Sequence, residues 1–325
     1  MNICFLDNNN LSYDHNSLND KNIRGAEKTV INLSLKLNKF GHKITILNHT
    51  KKNIKYENIR WINILNYKDD TNYDLAITNN DINNFNFIKA KKKIAISYSV
   101  QTLEKFIRKK QLFPFLKHKP KIFLIGKYHL KKRSYFTRMF GSNVINLAVD
   151  DEFIKTELTS KIDNKKAIFT SYPDRNLKTL INIWINHIHS INTDLKLYIS
   201  PMVTNYEKYN IFNRHHSNRE NFIDELLNSR VYLAPGHKAE LFCIAAEEAR
   251  ELCIPTVTLG IGALSERVVH NKTGFIAKNE KDFAKYTLEL FNNDSLWNEI
   301  RVNLKSMRNS KNWDQATKDF LKKCV

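Results

Sequence analysis

Two glutamates frame a short predicted helix in the second half of the chain. Glu240 lies in a loop after the apolar run 231–234, and Glu248 lies in a segment rich in Ala, Leu and Glu that predicts a helix over 242–252. Eight helical residues rise about 12 Å, so the two carboxylates cannot hold one small ion together. They could instead hold the two ends of an extended ligand, such as a nucleotide-sugar.

The start of this predicted helix is a candidate phosphate site. The first N–H groups of a helix have no intrahelical acceptor and favour an anion. One acid would then reach the sugar of the ligand and the other its ribose hydroxyls. The residues that we assign to this donor site around the helix start are Leu241, Phe242, Cys243 and Ile244. Spacing alone leaves an alternative open, in which the helix presents a solvated face of Glu247, Glu248, Arg250 and Glu251.

The order of residues in this stretch resembles the signature of the retaining glycosyltransferases of family 4, also called group 1, which have the GT-B fold. In that family a Pro-Ser-x-x-Glu-Gly-Phe-Gly loop precedes Glu-Ala, with seven residues between the two glutamates. The residues that match the family pattern are Pro235, Glu240, Phe242, Glu248, Ala249, Pro255, Val257, Glu266, Thr273 and Gly274. Leu241 and Cys243 stand where glycine is usual, so their side chains would narrow a ligand's approach to the backbone.

A second resemblance lies near the start of the chain, in a predicted strand–helix–strand unit. The family has a Gly-Gly-x-Glu loop there, and this chain has Gly25 and Glu27 at matching positions. Arg24 replaces the first glycine of the loop and adds a cation. The resemblance implies that Gly25 lies beside the donor phosphates.

The resemblance also implies cationic residues that hold the donor diphosphate. In the family two cations follow the first strand of the second domain. Here Ser171 stands at the first of these positions, and Arg175 stands at or next to the second. An arginine is suited to this role because its guanidinium bonds two phosphate oxygens at once. Lys178 could add charge or could face solvent.

The resemblance predicts an α/β protein of GT-B architecture, with two Rossmann-like domains facing across a cleft. We expect an N-terminal acceptor-side domain over 1–150, a nucleotide-sugar-binding domain over 151–305 and a helix over 306–325 that returns to the first domain. The predicted reaction moves a sugar, of the hexosyl type, from a nucleotide-diphospho-sugar to a hydroxyl with retention of configuration. Arg175 and the helix-start amides would stabilise the departing diphosphate, while Glu240 holds the sugar and Glu248 the ribose.

No cofactor is expected beyond the nucleotide-sugar substrate, and no metal, because the sequence lacks the Asp-x-Asp of metal-dependent GT-A enzymes. The family often has an acceptor-side histidine after the strand predicted at 93–97, and this chain has none there. The runner-up interpretation is therefore a non-catalytic sugar-nucleotide-binding protein on the same fold.

The positive charge is concentrated in the first half of the chain. The formal net charge is +19, of which residues 1–150 carry +16 and the remainder +3. Between 89 and 138 there are 16 basic residues and one acid. This asymmetry indicates an anionic partner, such as a membrane surface, an acidic acceptor or, with no recognisable module to support it, nucleic acid.

The segment 101–121 interleaves cations with aromatic and aliphatic residues. Its candidate acceptor-binding or membrane-binding cations are Lys105, Arg108, Lys109 and Lys110. A segment of this kind can lie on an anionic membrane, which could carry a lipid or glycan-precursor acceptor. It could equally form an ordinary domain helix, with its lysines in water and its phenylalanines in the core.

The sequence also bears on location. No basic segment precedes an apolar run at the start, and no apolar stretch reaches about 18 residues. The four cysteines, Cys4, Cys243, Cys253 and Cys324, have no paired spacing. These features favour the cytoplasm, with a peripheral position on the inner face of the membrane as an open alternative.

Overall fold

A computed structural model of the chain describes residues 1–20, 23–68, 70–158, 162–200, 206–214 and 218–324. The chain divides into two compact units. Unit 1 comprises Met1–Leu147 with Trp313–Val325, and unit 2 comprises Ala148–Asn312. The loop predicted around His215 and His216 lies outside the described residues.

Unit 1 contains an eight-stranded sheet in the order β3-β4-β2-β1-β5-β6-β7-β8. All neighbouring strands are parallel except β3 and β4, which are antiparallel. The strands are β1 Asn2–Leu6, β2 Lys43–Asn48, β3 Ile54–Tyr56, β4 Ile59–Asn63, β5 Asn72–Asn79, β6 Lys89–Ser97, β7 Lys121–Leu124 and β8 Asn143–Val144.

Helices and short helical turns connect these strands. Gly41, with φ +85°, follows the end of the first helix and allows the chain to turn into β2. The α-helices of unit 1 are α1 Gly25–Lys39, α2 Leu103–Arg108, α3 Leu112–His118, α4 Lys127–Lys132, α5 Tyr135–Arg138 and, at the end of the chain, α12 Trp313–Cys324. Lys36 of α1 pairs with Asp314 of α12 at 3.1 Å, and Phe320 packs edge-on against Phe123.

Unit 2 contains a fully parallel six-stranded sheet in the order β11-β10-β9-β12-β13-β14. Renumbered from the start of the unit, this order is 3-2-1-4-5-6, the doubly wound Rossmann topology. The strands are β9 Asp163–Ile168, β10 Lys196–Ile199, β11 Ile211–Asn213, β12 Ser229–Leu233, β13 Thr256–Thr258 and β14 Gly274–Ile276.

The helices of unit 2 cover both faces of this sheet. They are α6 Asp151–Lys155, α7 Leu177–Ile183, α8 Arg219–Leu227, α9 Ile244–Glu251, α10 Glu280–Asn292 and α11 Asp294–Ser306, and a π-helical turn at Trp184–His189 continues α7. Successive residues of a strand point to opposite faces. Val231 and Leu233 of β12 therefore enter one hydrophobic core, and Tyr232 and Ala234 enter the other.

The longer predicted strands and helices are present, with small shifts at their ends. The strand predicted at 93–97 begins earlier, at Lys89, and the basic segment 101–121 forms two short helices, α2 and α3. The strands β3, β4, β8, β11 and β14 were not predicted. All of them except the five-residue β4 have only two or three residues, too few for a readable periodicity. In the structure, unit 2 begins after Leu147 and ends at Asn312. The sequence predicted these boundaries after residues 150 and 305.

Candidate active site

The loops after β9 and β12 lie side by side at the point where the strand order of unit 2 reverses. From β9 the strands β10 and β11 follow on one side of the sheet, and from β12 the strands β13 and β14 follow on the other side. The carboxyl ends of β9 and β12 therefore flank a topological switch point. Ligands of open α/β sheets bind at such points. The side-chain amide of Asn176, in the first loop, donates a hydrogen bond to the carbonyl of Gly236 in the second. The two loops are thus joined by a direct contact.

Glycines support the loop that carries Glu240. Gly236 and Gly262 have positive φ values of +92° and +73°. A Cβ on Gly262 would lie 2.2 Å from the carbonyl oxygen of His237, so only glycine fits there. The N–H of Ala263 donates to the carbonyl of Glu240 at 2.9 Å. The loop that follows β13 therefore holds the backbone at His237 and at Glu240 itself.

Glu240 is half-buried and lies among polar and charged neighbours. Burial raises the pKa of its carboxyl, and the thiol of Cys243 and the charges of Arg175 and His237 partly offset that rise. Burial, together with the Glu240 charge, raises the pKa of the Cys243 thiol well above its usual value. The structure therefore brings together Glu240, Arg175 and the residue that precedes α9, three of the predicted donor-site positions.

The helix after this loop begins two residues later than predicted. Cys243 has φ +61°, in the left-handed region, and α9 starts at Ile244 rather than at 242. The carbonyl of Phe242 accepts a hydrogen bond from Nε of Arg267 at 2.9 Å, and the same guanidinium lies 4.1 Å from the centre of the Phe242 ring. The prediction of first-turn amides at 242–244 is corrected accordingly, since the first helical N–H belongs to Ile244.

Glu248 lies within α9 and is 8% exposed. Its Oε1 accepts a hydrogen bond from Nη2 of Arg219 at 3.3 Å, and the same nitrogen lies 2.6 Å from Oδ2 of Asp150. The guanidinium stacks on Phe153 at 4.4 Å. Arg219, at the first position of α8, thus orients the carboxylate that sequence reasoning assigned to the ribose, and nothing in the sequence pattern singles it out.

The other charged residues of α9 are also buried, so the interpretation of a solvated face is wrong. Glu247 is 1% exposed and contacts Arg267 at 2.7 Å and Lys311 at 2.5 Å. Burial alone would raise the pKa of Glu247, but the charges of Arg250, Lys311 and Arg267 together lower it. The side chains of α9 are therefore held by ion pairs within unit 2, and buried charges need such partners.

The remaining predicted donor-site residues differ in exposure. Ser171, at the first cation position, lies 3.4 Å from the hydroxyl of Tyr232. Lys178 is exposed on α7, while Leu241 and Phe242 are each 7% exposed. Gly25 begins α1 in unit 1, and a Cβ on it would meet no atom within 4 Å. Within the described ranges no group of three metal-ligating side chains comes together.

The predicted cationic segment 101–121 of unit 1 has most of its cations exposed along the two short helices α2 and α3. Arg108, Lys109 and Lys110 are exposed at the end of α2, and Lys105 is half-buried with its ammonium on the hydroxyl of Ser99. The expectation that its phenylalanines are in the core holds for Phe106 and Phe115, each 1% exposed. It fails for Phe113, which is 75% exposed. Other large apolar side chains of the segment and just after it are also exposed, namely Leu103, Ile107, Leu116, Tyr135 and Met139.

The comparisons with known proteins agree with this architecture. Residues 202–307 match the family model described as glycosyl transferases group 1. A search by sequence among curated proteins finds no significant match. No helix among the described residues is both long and apolar enough to cross a membrane.

Several solved structures share the fold. Sucrose-phosphate synthase from Thermosynechococcus elongatus matches with a TM-score of 0.69 at 11% identity, over 99% of this chain and 98% of that one. Anabaena HepE in complex with UDP matches with a TM-score of 0.69 at 12% identity, over 99% of both chains. A TarM mutant from S. aureus in complex with Fondaparinux, alpha-GlcNAc-glycerol and UDP matches with a TM-score of 0.59 at 16% identity. That match covers 76% of this chain and 54% of TarM, about half its length.

The two Rossmann-like units and the strand order of unit 2 define a GT-B fold. The residues that match the group 1 model lie within unit 2. The prediction of the GT-B fold is thereby confirmed, and the predicted similarity to group 1 is found over residues 202–307.

Proposed function

We propose that this chain is a retaining glycosyltransferase of the hexosyl type, which takes its sugar from a nucleotide-diphospho-sugar and places it on a hydroxyl acceptor. The observation that carries the proposal is the position of Arg175 and Glu240. They stand on adjoining loops at the switch point of unit 2, which the hydrogen bond from Asn176 to Gly236 joins. Burial raises the pKa of Glu240 there, and the charge of Arg175 partly offsets that rise. HepE, which shares the fold, was crystallised with UDP, with UDP and glucose, and with UDP-glucose.

Each group has a role that follows from its charge. Arg175 and the first N–H groups of α9 offer positive charge to a diphosphate, which gains negative charge as the sugar leaves. Glu240, half-buried before that helix, accepts hydrogen bonds from sugar hydroxyls. Glu248, oriented by Arg219, accepts hydrogen bonds from the ribose hydroxyls. The acceptor oxygen bonds to the anomeric carbon on the same face from which the diphosphate oxygen leaves, and the hydroxyl proton passes to that departing phosphate oxygen, so the configuration is retained.

The transfer is tested with a panel of UDP-, GDP- and ADP-sugars. We expect one donor class to release its nucleotide diphosphate, and we expect Arg175→Ala to release it at least tenfold more slowly, because a charge-assisted phosphate contact is lost. Proton NMR of the first-formed sugar product should show the anomeric configuration of the donor. An inverted product would contradict retention, and release at wild-type rate by Arg175→Ala would remove that residue from the site.

The second candidate is a non-catalytic sugar-nucleotide-binding protein on the same fold. It is favoured by the side chains of Leu241 and Cys243 where the related loops have glycine, and by the lack of an acceptor-side histidine in the loop after β6. Isothermal titration that shows UDP or GDP binding, with no donor hydrolysis or transfer under the same conditions, would favour this candidate.

The acceptor of the transfer is proposed to lie at an anionic membrane surface, as a lipid or a glycan precursor. The supporting observation is the exposed face of α2, α3 and α5, which we call the basic–apolar surface. Ile107 is 58% exposed, Phe113 75% and Met139 70%, beside the exposed cations Arg108, Lys109 and Lys110. Beneath this surface, the ring centre of Phe136 lies 5.3 Å from that of Phe106 and 5.7 Å from that of Phe115. Phe136 therefore packs α5 against α2 and α3. Apolar side chains among cations are the combination that binds anionic lipids.

A further inference from the structure

Unit 1 contains a buried polar cluster that the sequence gives no reason to expect. Asp7 follows β1 directly, is 4% exposed, and accepts a hydrogen bond from the hydroxyl of Tyr13 at 2.7 Å. Glu27, in the first turn of α1, is also 4% exposed. The side-chain amide of Asn9 donates to both carboxylates, at 3.2 Å to Asp7 and 2.6 Å to Glu27. Two buried acids are therefore joined by one neutral bridge.

The cluster lies where the strand order of unit 1 reverses. β1 is flanked by β2 on one side and by β5 on the other, and the chain proceeds outward from both. The carboxyl ends of β1 and β5 thus form the switch point of this sheet, the place where α/β sheets bind ligands. Asp7 follows the first of these strands and Asn79 ends the second.

A second observation points to a ligand at the same place. Asn79 is 8% exposed, and its Nδ2 lies 3.5 Å from Oδ2 of Asp7, so its side chain is directed into the cluster. Its Oδ1 is buried and has no hydrogen-bond partner among the described residues. A buried acceptor without a donor is costly, and its usual explanation is a bound group that supplies one. A hydroxyl is such a group.

The hydrogen-bond donors around Asp7 are neutral, whereas Glu27 also accepts a bond from the N–H of Arg24. The side chains that donate hydrogen bonds to Asp7 in the described part of the chain, those of Tyr13, Asn9 and Asn79, are all neutral. Burial raises the pKa of Asp7 to about 6, and the nearby Glu27 charge adds to that rise although the three hydrogen bonds oppose it. A carboxylate kept in such a place costs stability, and functional sites are where such costs persist.

Two residues at the edge of the cluster are less buried than Asp7 and Glu27. Tyr98, after β6, and Asn9, after β1, are both half-buried. The N–H of Tyr98 donates to Oδ1 of Asn80 at 2.8 Å, so the residue lies at the end of β5. Burial raises the pKa of its hydroxyl, and the charges of Asp7 and Glu27 add to that rise. An aromatic ring next to hydrogen-bond acceptors is suited to a sugar, since it offers an apolar face and polar groups together.

We propose that Asp7, Glu27, Asn79 and Tyr98 form an acceptor subsite that binds the hydroxyl groups of an uncharged sugar. The proposal deepens the proposed function, because it assigns the acceptor of the transfer to this end of unit 1 and gives its chemical class. The carboxylates and the Asn79 carbonyl accept hydrogen bonds from the sugar hydroxyls. A phosphorylated or carboxylated ring is disfavoured at this point, because like charges would meet in a buried place.

The test uses saturation-transfer NMR on the full chain, with a mixture of methyl glucoside, methyl galactoside and methyl mannoside as the sugar probe and UDP as a second probe. We expect the wild type to bind at least one methyl glycoside. Asp7→Asn should bind it roughly tenfold more weakly, since hydrogen bonds to a charged group are lost. The matched control Asp70→Asn, which changes an exposed aspartate of the same unit, should bind as the wild type does.

A second variant, Asn79→Ala, guards against a fold defect in Asp7→Asn, and thermal melting shows which variants are folded. We expect Asn79→Ala to weaken glycoside binding as well, while UDP signals stay unchanged in every folded variant. The proposal is overturned if no glycoside binds the wild type, or if glycosides bind all folded variants equally. If UDP does not bind the wild type, the donor site proposed in unit 2 is contradicted. The glycoside signals of the wild type and the variants still decide the proposal for unit 1.

Discussion

The guanidinium of Arg219 bridges Glu248 and Asp150, with Nη2 3.3 Å from the first carboxylate and 2.6 Å from the second. The arginine begins α8 and the glutamate lies in the middle of α9. A bridge of this kind fixes the rotamer of Glu248 before any ligand binds. Preorganised groups bind more tightly because less side-chain entropy is lost.

From this bridge we predict the effect of removing the carboxylate. One class of nucleotide-sugar should raise the melting temperature of the wild type, and Glu248→Ala should lose most of that gain, because its affinity falls about ten- to a hundredfold. The control Glu280→Ala changes an exposed acid at the start of α10 and should keep the full gain. Equal shifts in the wild type and Glu248→Ala would remove Glu248 from the donor site.

Gly262→Ala should disturb the Glu240 loop. The new Cβ would lie 2.2 Å from the carbonyl oxygen of His237, at a φ of +73°. We expect a loss of about 2 to 3 kcal/mol in the free energy of unfolding, measured with urea, together with weaker donor binding. Gly41→Ala is the matched control, since its φ is +85° but its Cβ would meet nothing within 4 Å. That control should lose only about 1 kcal/mol. Equal losses in the two variants would show that the loop contact is not needed.

The pH dependence of stability should report the buried carboxyl of Asp7. Its pKa is raised from 3.8 to about 6, so between these values the folded state binds more protons than the unfolded state. Stability therefore falls as pH rises through this window, by about 3 kcal/mol. Asp7→Asn removes the penalty, so its melting temperature should exceed that of the wild type at pH 8, and the gap should shrink toward pH 4. A gap that does not vary with pH would contradict the raised pKa.

The basic–apolar surface makes a prediction about lipids. Flotation with vesicles that contain phosphatidylglycerol should carry the wild type, and vesicles of phosphatidylcholine alone should carry much less. Each Lys near an anionic surface contributes about 1 kcal/mol, so the double change Lys109→Glu and Lys110→Glu should lower the partition coefficient at least about thirtyfold. The matched control is Lys51→Glu with Lys52→Glu, an adjacent exposed pair elsewhere in unit 1. If the two double variants float alike, the surface is not the contact.

The strands and the signature loop were readable from the sequence because they follow local rules. The apolar run at 231–234 predicted β12, since a strand buried on both faces has apolar residues at successive positions. Pro255 correctly ended α9 before β13. The start of α9 was misplaced because Cys243 has a left-handed backbone, which the composition of the segment does not indicate.

The contacts that complete the two candidate sites were not readable, because they join distant parts of the chain. Arg219 reaches Glu248 from another helix, and Lys311 reaches Glu247 from beyond α11. In unit 1, Asp7 was not among the predicted site residues, although it follows β1 directly. Its place directly after a strand at a switch point was the available signal, but that signal requires the strand order of the whole sheet.

The assignment of the donor site depends on where a nucleoside diphosphate binds in unit 2. A crystal structure of the chain with UDP or GDP measures this directly. We predict that the diphosphate lies within hydrogen-bond distance of the Arg175 guanidinium and of the first N–H groups of α9, with the ribose on Glu248. A nucleotide bound away from the loops after β9 and β12, or none bound at millimolar concentration, would contradict the assignment.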